Sequence, residues 1–198
     1  MAYQLTSLGI SVLALLRARP MHGYEMFQTL VERHADRIVK VRPGSLYHVV
    51  DRLTEEKLIR RAGTARDGKR PERAIYEITD AGRETCRRWL EEMLASVRNE
   101  FPDFPAALSS LMLLGPADSL TVLKSRAEGV AEVVERLKGE IAGPGAGLPR
   151  VTMLETEYQL AVSTAELDWL NGVIADLTDG SLSWSEDLLE QAKAFLTE

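Results

Sequence analysis

Apolar residues before Ile59 recur at spacings of three and four, which is the pattern of amphipathic helices. The pattern predicts one helix over about Leu5–Arg17, a second over about Gly23–His34, and a third within "RPGSLYHVVDRLTEEKLI". Pro20 separates the first two helices, and Pro43 stands where a helix favours proline, at its start. The predicted buried faces are Leu8, Val12, Leu15 and Leu16; Tyr24, Phe27, Leu30 and Val31; and Leu46, Val49, Val50 and Leu53.

The pattern changes to short segments after Leu58. Segments at about Ile59–Thr64 and Ala74–Thr79 flank "ARDGKRPER", and the second alternates between apolar and polar residues, which predicts a hairpin with a long loop. Another helix follows, which Thr79 or Asp80 can cap. Three helices followed by a hairpin is the order of a winged helix-turn-helix, and we expect this DNA-binding domain to occupy residues 1–100.

Residues 101–198 are predicted to form a second, helical domain that makes a dimer. "FPDFP" interrupts the preceding helix, and a short helix follows at about Ala106–Leu114. A long helix opens at Pro116, the turn "GPGAGLP" ends it, and further helices cover about Arg150–Leu177 and Trp184–Leu196. The expected fold class is mainly α with a small β-hairpin. The long helix carries a heptad seam of Leu120, Leu123, Ala127, Val130, Val134, Leu137 and Ile141.

The helix at about Arg150–Leu177 is apolar on two faces and therefore needs two partners. The preceding helix supplies one. The other is either a further helix of the same chain or the same helix of a second subunit, and the pattern leaves both open. For a homodimer, the expected interface residues are Leu120, Leu123, Val130, Val134, Leu137, Leu154, Tyr158 and Trp169.

Charge divides the chain into two unlike parts. Residues 1–88 contain 17 Lys/Arg and 11 Asp/Glu, a net charge of +6, whereas residues 89–198 contain 7 and 19, a net charge of −12. The two parts together give the net charge of −6. A basic part joined to an acidic part indicates that the first binds a polyanion, although charges on small domains also scatter.

The outward face of the third helix mixes hydrogen-bonding groups of several lengths. Base edges in the major groove present both donors and acceptors, so Ser45, His48 and Arg52 are suited to reading them, unless Asp51 or Glu55 holds Arg52 in an ion pair. Tyr47 belongs to the same mixture of groups, with packing of its ring on the wing as the alternative. Lys40 and Arg42 precede the helix and are expected to contact phosphates.

The loop of the hairpin is rich in positive charge. A solvated charge run is one interpretation, but a wing loop lies where it meets the minor groove or its flanking phosphates. The sequence therefore predicts DNA contacts from Arg66, Lys69, Arg70 and Arg73.

Other chemistry is sparse. The chain has no catalytic triad motif, phosphate-cradling glycine loop or metal-ligand cluster, so we expect neither an enzyme nor a cofactor. Lone Cys86 excludes an intramolecular disulfide framework, and no run reaches the roughly 20 apolar residues that span a membrane, so a cytoplasmic protein is expected. A winged helix that binds protein instead of DNA is the main alternative, and the basic loop argues against it.

Several stretches carry a family resemblance. "MHGYEM" at Met21–Met26, "PGSLYHVVDRLTEEKLI" at Pro43–Ile59 and "IYEITDAGRE" at Ile75–Glu84 occur in the order and spacing of PadR-type transcriptional regulators. The stretch from Leu148 to Trp184 is similar to the C-terminal domain of the subgroup with long C-terminal helices. The resemblance covers nearly the whole chain.

The resemblance implies a homodimer that binds a palindromic operator, usually as a repressor, with half-sites near ATGT and ACAT. It implies C-terminal helices that form the dimer and reach over the partner's N-terminal domain, and a DNA-backbone role for Tyr47. Some members are released by small phenolic or other aromatic molecules, so an effector of unknown identity is a further expectation. Trp89, Trp169 and Trp184 are expected to serve packing, with stacking on such an effector as the alternative.

Overall fold

The computed structural model describes residues 5–65, 73–97 and 100–185. The chain divides into two compact units, Met1–Asn99 and Glu100–Glu198, here called the N-terminal unit and the C-terminal unit. The N-terminal unit contains α1 (Ser7–Ala18), β1 (Met21–His22), α2 (Gly23–Glu32), a 3-10 turn (Ala35–Arg37), α3 (Pro43–Glu55), β2 (Ile59–Ala65), β3 (Arg73–Ile78) and α4 (Asp80–Ala95). The C-terminal unit contains α5 (Asp103–Leu108), a 3-10 turn (Leu111–Leu113), α6 (Pro116–Ala142), a 3-10 turn (Arg150–Thr152) and α7 (Leu154–Asp179).

Side-chain caps fix where three of the N-terminal helices begin. The Gly9 N–H donates to Thr6 Oγ1 at 3.1 Å at the start of α1, and the Glu25 N–H donates to His22 Nδ1 at 3.0 Å at the start of α2. Thr79 caps α4 in the same way. Each acceptor satisfies an N–H that has no partner within its own helix. Helix α3 begins instead with Pro43, whose missing N–H costs nothing there.

The predicted faces of α1 and α3 are buried as expected, but that of α2 is rotated. Met26 and Leu30 are buried, and Phe27 is half-buried. Tyr24 and Val31 are exposed, because the apolar residues of α2 lie on two neighbouring lines of the helix and the Gly23–Met26–Leu30 line is the one that faces the core.

The predicted hairpin is present and has a third strand beside it. Strands β2 and β3 pair antiparallel with Ile59 opposite Ile78, and β1 pairs antiparallel with the other edge of β3. The sheet order is β1-β3-β2. The sequence did not predict β1 because two residues between helices carry no periodicity. The fold class, mainly α with a small β-element in a winged helix-turn-helix, is confirmed.

The end of α3 is closed by a left-handed residue. Lys57 has φ 59°, the Lys57 N–H donates to the Thr54 carbonyl at 3.0 Å, and the Leu58 N–H donates to the Leu53 carbonyl at 2.9 Å. This pair of bonds is the Schellman motif, and buried Leu58 and Leu53 supply the apolar contact that accompanies it. The chain therefore leaves α3 in a fixed direction and enters β2 at once.

Helix α4 is attached to this turn through Thr79. Its N–H donates to the Leu58 carbonyl at 3.0 Å, and its hydroxyl donates to the Lys57 carbonyl at 2.8 Å. The same hydroxyl oxygen accepts from the Gly82 N–H at 3.0 Å. A Cβ on Gly82 would lie 2.1 Å from the Leu58 carbonyl oxygen, so only glycine permits this approach.

The C-terminal unit is built on the packing of α6 against α7. Leu123, Val134 and Leu137 are buried within the chain, each at 3% exposure or less. Side chains with so little exposed surface have none left for a second subunit. The expectation that these three contact a dimer partner is therefore corrected: all three are buried within their own chain, Leu123 in the core between α6 and α7.

Two helix boundaries differ from expectation. "FPDFP" begins α5 instead of interrupting a helix, because Pro105 lies in the first turn, where the missing N–H would have no partner. The predicted helix at 106–114 is thereby replaced by α5 and a separate 3-10 turn. Most of the predicted last helix, from residue 186 onward, lies outside the described residues.

Within residues 5–65, 73–97 and 100–185, every helix is too short or too polar to cross a membrane.

The contact at Gly82 makes a testable prediction about stability. Gly82→Ala should lower the free energy of unfolding by about 1–3 kcal/mol or more, because the added methyl meets a backbone oxygen that is already bonded. Gly44→Ala is the matched control, since Gly44 also lies in the first turn of a helix but has nothing within 4 Å of an added Cβ. Chemical denaturation of both variants measures the effect. Equal stability of the two would show that the turn at Leu58 is not rigid.

Candidate nucleic-acid interface

Helix α3 presents one apolar and one polar face. Its apolar face of Leu46, Val49, Val50 and Leu53 is buried in the N-terminal core. Ser45, Tyr47 and His48 are exposed on the opposite side of its first half. Gly44, beside them, has open space around the position of a Cβ. The first half of α3 therefore offers an accessible surface of polar groups of several sizes.

Tyr47 is held by the start of α2. A Cβ on Gly23 would lie 2.7 Å from Tyr47 Cε1, so the tyrosine ring packs directly over the glycine backbone. Tyr47 still exposes 49% of its surface. The alternative that its ring packs on the wing is replaced by packing on α2. The glycine of "MHGYEM" is thus a position where any side chain would displace Tyr47.

Lys40 and Arg42 are exposed immediately before α3. Arg52 lies in the last turn of α3, and its Nη1 is 3.0 Å from Glu55 Oε2 while its Nη2 is 3.8 Å from Glu56 Oε1. The ion pair that the sequence suggested as an alternative for Arg52 is therefore present, with Glu56 as an additional partner.

The wing is described only at its base. Arg66, Lys69 and Arg70 lie outside the described residues. Arg73, the first residue of β3, has its Cζ 4.9 Å from the centre of the Tyr24 ring. On β2, Arg61 is exposed and Arg60 pairs with Glu77 across the strands at 2.7 Å. Sequence reasoning missed Tyr24 because the helical pattern assigned it to the core.

Cys86 is buried in the N-terminal core. Burial raises the pKa of its thiol, against the smaller opposing effect of the positive charge of Arg17. A raised pKa disfavours the thiolate, which is the reactive form, so this cysteine is a packing residue. Among the described residues, no three His, Cys, Asp or Glu side chains come together as a possible metal site.

The C-terminal unit has an exposed apolar face on α7. Leu154, Tyr158, Val162 and Trp169 share this side of the helix, and Tyr158 alone exposes 71% of its surface. Leu154, Tyr158 and Trp169 were expected in a dimer interface, and the structure leaves all three accessible. The partly buried Leu120 and Val130 instead pack against the α6–α7 core.

A cavity of about 550 Å³ opens beside this face, within the C-terminal unit. Phe104 and Trp169 line it with their rings 6.3 Å apart in an edge-to-face arrangement. Arg126 lies over the Phe104 ring, with its Cζ 3.4 Å from the ring centre, and its Nε donates to Glu166 Oε1 at 2.6 Å. The lining is thus mostly apolar and aromatic, with one paired charge at its edge.

Several solved structures share the fold of this chain. Bacillus subtilis PadR in complex with operator DNA is 18% identical, with a TM-score of 0.74 over 88% of this chain and 99% of that one. The same protein in complex with p-coumaric acid is 17% identical, with a TM-score of 0.70 over 86% and 98%. The Vibrio cholerae virulence activator AphA is 22% identical, with a TM-score of 0.66 over 87% and 99%.

No curated protein sequence matches the chain. One family model does: residues 12–88 match the model described as the transcriptional regulator PadR-like family. The matched range begins within α1, ends within α4 and contains α2, the three strands and α3 with its exposed face. Residues 12–88 therefore form a domain of the PadR-like family of transcriptional regulators.

Proposed function

We propose that the chain is a cytoplasmic homodimer that binds an inverted-repeat operator in double-stranded DNA, represses transcription there, and is released by a small aromatic effector. We also assign it to the subgroup with long C-terminal helices. The observation that best supports DNA binding is the exposed polar face on the first half of α3. The apolar face on the other side of the same helix is fully buried. A helix held in this way can enter the major groove without exposing the core.

The residues of this interface take different roles in the proposal. Ser45 and His48 face base edges, because short side chains near the start of the recognition helix reach them directly. Tyr47, held on Gly23, directs its hydroxyl to the DNA backbone. Lys40 and Arg42 contact phosphates, which set the position of the protein without reading sequence. Arg66, Lys69 and Arg70 of the wing loop are assigned to phosphates on the same grounds of charge.

Arg52 can join this interface only by leaving Glu55 and Glu56. An exposed ion pair stabilises a protein by about 0–1 kcal/mol. A good bidentate contact between arginine and a guanine edge contributes about 1–3 kcal/mol of discrimination. The two exposed pairs of Arg52 together contribute at most about 2 kcal/mol, which a bidentate contact can offset, so we propose that Arg52 exchanges its carboxylate partners for DNA on binding.

Selection of bound duplexes from a random pool tests the proposal as a whole. An inverted repeat should emerge, with half-site centres about one helical turn apart or a multiple of it. A chain that enriches no sequence would favour the alternative of a protein-binding winged helix. A reporter gene behind the selected site then decides the direction of regulation, because AphA, of the same fold, is an activator.

Specificity makes the next prediction. His48→Ala should weaken binding to the selected duplex by about 1–3 kcal/mol and weaken binding to a scrambled duplex less. Tyr47→Phe is the matched control, because it keeps the ring on Gly23 and removes only the hydroxyl; it should weaken binding to both duplexes alike. Titrations at one fixed salt concentration measure both. Equal losses for His48→Ala on the two duplexes would remove His48 from the list of readers.

The proposed dimer uses the exposed apolar face of α7. A large exposed apolar patch is characteristic of an interaction surface. Leu154, Tyr158 and Trp169 lie one or several turns apart on this face, so the same helix of a second subunit can pack along it. A two-fold axis through such an interface would also present two copies of α3, which is what an inverted repeat requires.

We therefore expect Tyr158→Asp to shift the protein from dimer to monomer without loss of helix, since the side chain is exposed within its own chain. Asn171→Asp adds the same charge at an exposed position on the opposite side of α7 and should leave the dimer intact. Light scattering gives the mass of each variant, and circular dichroism gives its helix content. A wild-type protein that is monomeric at micromolar concentration would refute the dimer directly.

The effector is proposed to bind in the cavity lined by Phe104 and Trp169. Its volume is in the range of small-ligand pockets, and its rings offer stacking surfaces. The structure of Bacillus subtilis PadR with p-coumaric acid supports this class of molecule.

Titration calorimetry with p-coumaric acid and related aromatic carboxylates tests this assignment. Phe104→Leu, which lies outside the proposed dimer face, should weaken binding about 2- to 10-fold by removing an aromatic contact. Trp89→Phe, in the core of the N-terminal unit, is the control and should bind like the wild type. A wild-type chain that binds no member of the series would exclude an aromatic acid as effector.

A further inference from the structure

The base of the wing is attached to α2 by a contact that the sheet register sets up. In the pairing of β1 with β3, Met21 lies opposite Tyr76 and His22 lies opposite Ile75. The same antiparallel register, continued for two residues, brings position 24 beside position 73. Helix α2 begins at Gly23, so Tyr24 reaches that place from the first turn of a helix.

The contact itself is between a guanidinium and a ring. The Arg73 Cζ lies 4.9 Å from the centre of the Tyr24 ring, within the range of a cation–π interaction. Gln28, one turn along α2, donates from its Nε2 to the Tyr24 hydroxyl at 3.1 Å. The His22 ring lies 6.4 Å away from that of Tyr24 at an interplanar angle of 26°. Neighbours on both sides therefore fix the ring over which Arg73 lies.

This arrangement gives Arg73 a partner inside the protein. A guanidinium that stacks on a fixed ring holds the strand that carries it. Strand β3 begins at Arg73, so this contact constrains the point at which the chain returns from the wing to the sheet. A strand whose start is held in the free protein has less conformational freedom to lose when DNA binds.

We propose that Tyr24 and Arg73 together form an anchor that positions the start of β3 for DNA binding, and that Arg73 acts through Tyr24 and not as a phosphate contact. The inference rests on the proposed DNA-binding function. It assigns a role to Tyr24 and replaces the direct DNA contact that the charge pattern alone suggested for Arg73.

Salt dependence separates an anchor from a phosphate contact. Each phosphate contact that is lost lowers the slope of log K against log salt by about 0.9. Arg73→Ala should weaken binding to the selected duplex about 2- to 5-fold at every salt concentration, the range expected for an exposed cation–π contact, and should leave the slope unchanged. A slope lowered by about 0.9 would overturn the proposal and make Arg73 a direct contact.

A double-mutant cycle tests whether the two residues act as one unit. Tyr24→Leu should weaken binding as much as Arg73→Ala does, and the double variant should be no weaker than either, because both remove the same contact. Additive losses would overturn the anchor. Tyr24→Phe keeps the ring and should restore binding to near that of the wild type.

A control variant and a second measurement complete the test. Val31→Ala removes a similarly exposed apolar side chain from α2 without touching Arg73, and should leave DNA affinity unchanged. Hydrogen exchange of the free protein should be faster at β3 in Tyr24→Leu than in Val31→Ala; equal exchange would overturn the anchor. If the wild-type chain binds no duplex, the DNA-binding proposal fails before any variant is made, and the positioning role fails with it.

Discussion

The Leu58 carbonyl is the point on which the N-terminal unit depends. Leu58 ends the Schellman turn after α3, begins the approach to β2, and accepts the Thr79 N–H at 3.0 Å at the start of α4. The position of a Cβ on Gly82 lies 2.1 Å from the same oxygen. One backbone oxygen thus relates the recognition helix, the sheet and α4. A small displacement of this carbonyl would change the direction of α3 and so move the polar face at the other end of the helix.

A second close contact, between Gly23 and the Tyr47 ring, fixes the position of that polar face. Gly23 admits the Tyr47 ring at the start of α2, so α2 and α3 are related by a contact no other residue at position 23 would allow. His22, next to it, caps α2 through its side chain and pairs with β3 through its backbone. "MHGYEM" is therefore a structural junction of helix, strand and recognition face. Its residues position the groups that we propose to contact DNA.

Local patterns in the sequence predicted most of this unit, and non-local contacts account for what they missed. The faces of α1 and α3 follow from apolar spacing, because each is buried on one side only. Tyr24 was misplaced because α2 carries apolar residues on two neighbouring lines, and helical spacing alone does not say which line faces the core. Likewise, the apolar stripe of α6 is largely buried, but spacing alone does not say whether Leu137 packs within its own chain or against another. The basic residues of the site were visible as charge; the Tyr24–Arg73 contact arises from strand register, which composition does not record.

A dimer formed through the exposed apolar face of α7 would double the number of base contacts that the short polar face of α3 can make. Each good base contact discriminates by about 1–3 kcal/mol, and α3 offers only two or three candidate readers. Specific DNA binding by regulators typically needs about 4–10 kcal/mol over non-specific binding. Two or three such contacts on one copy of this face give about 2–9 kcal/mol and fall short of that range when each contact is weak, whereas two copies give about 4–18 kcal/mol and reach the range even then. The proposed dimer through the exposed apolar face of α7 would therefore raise the discrimination that so small a polar face can supply.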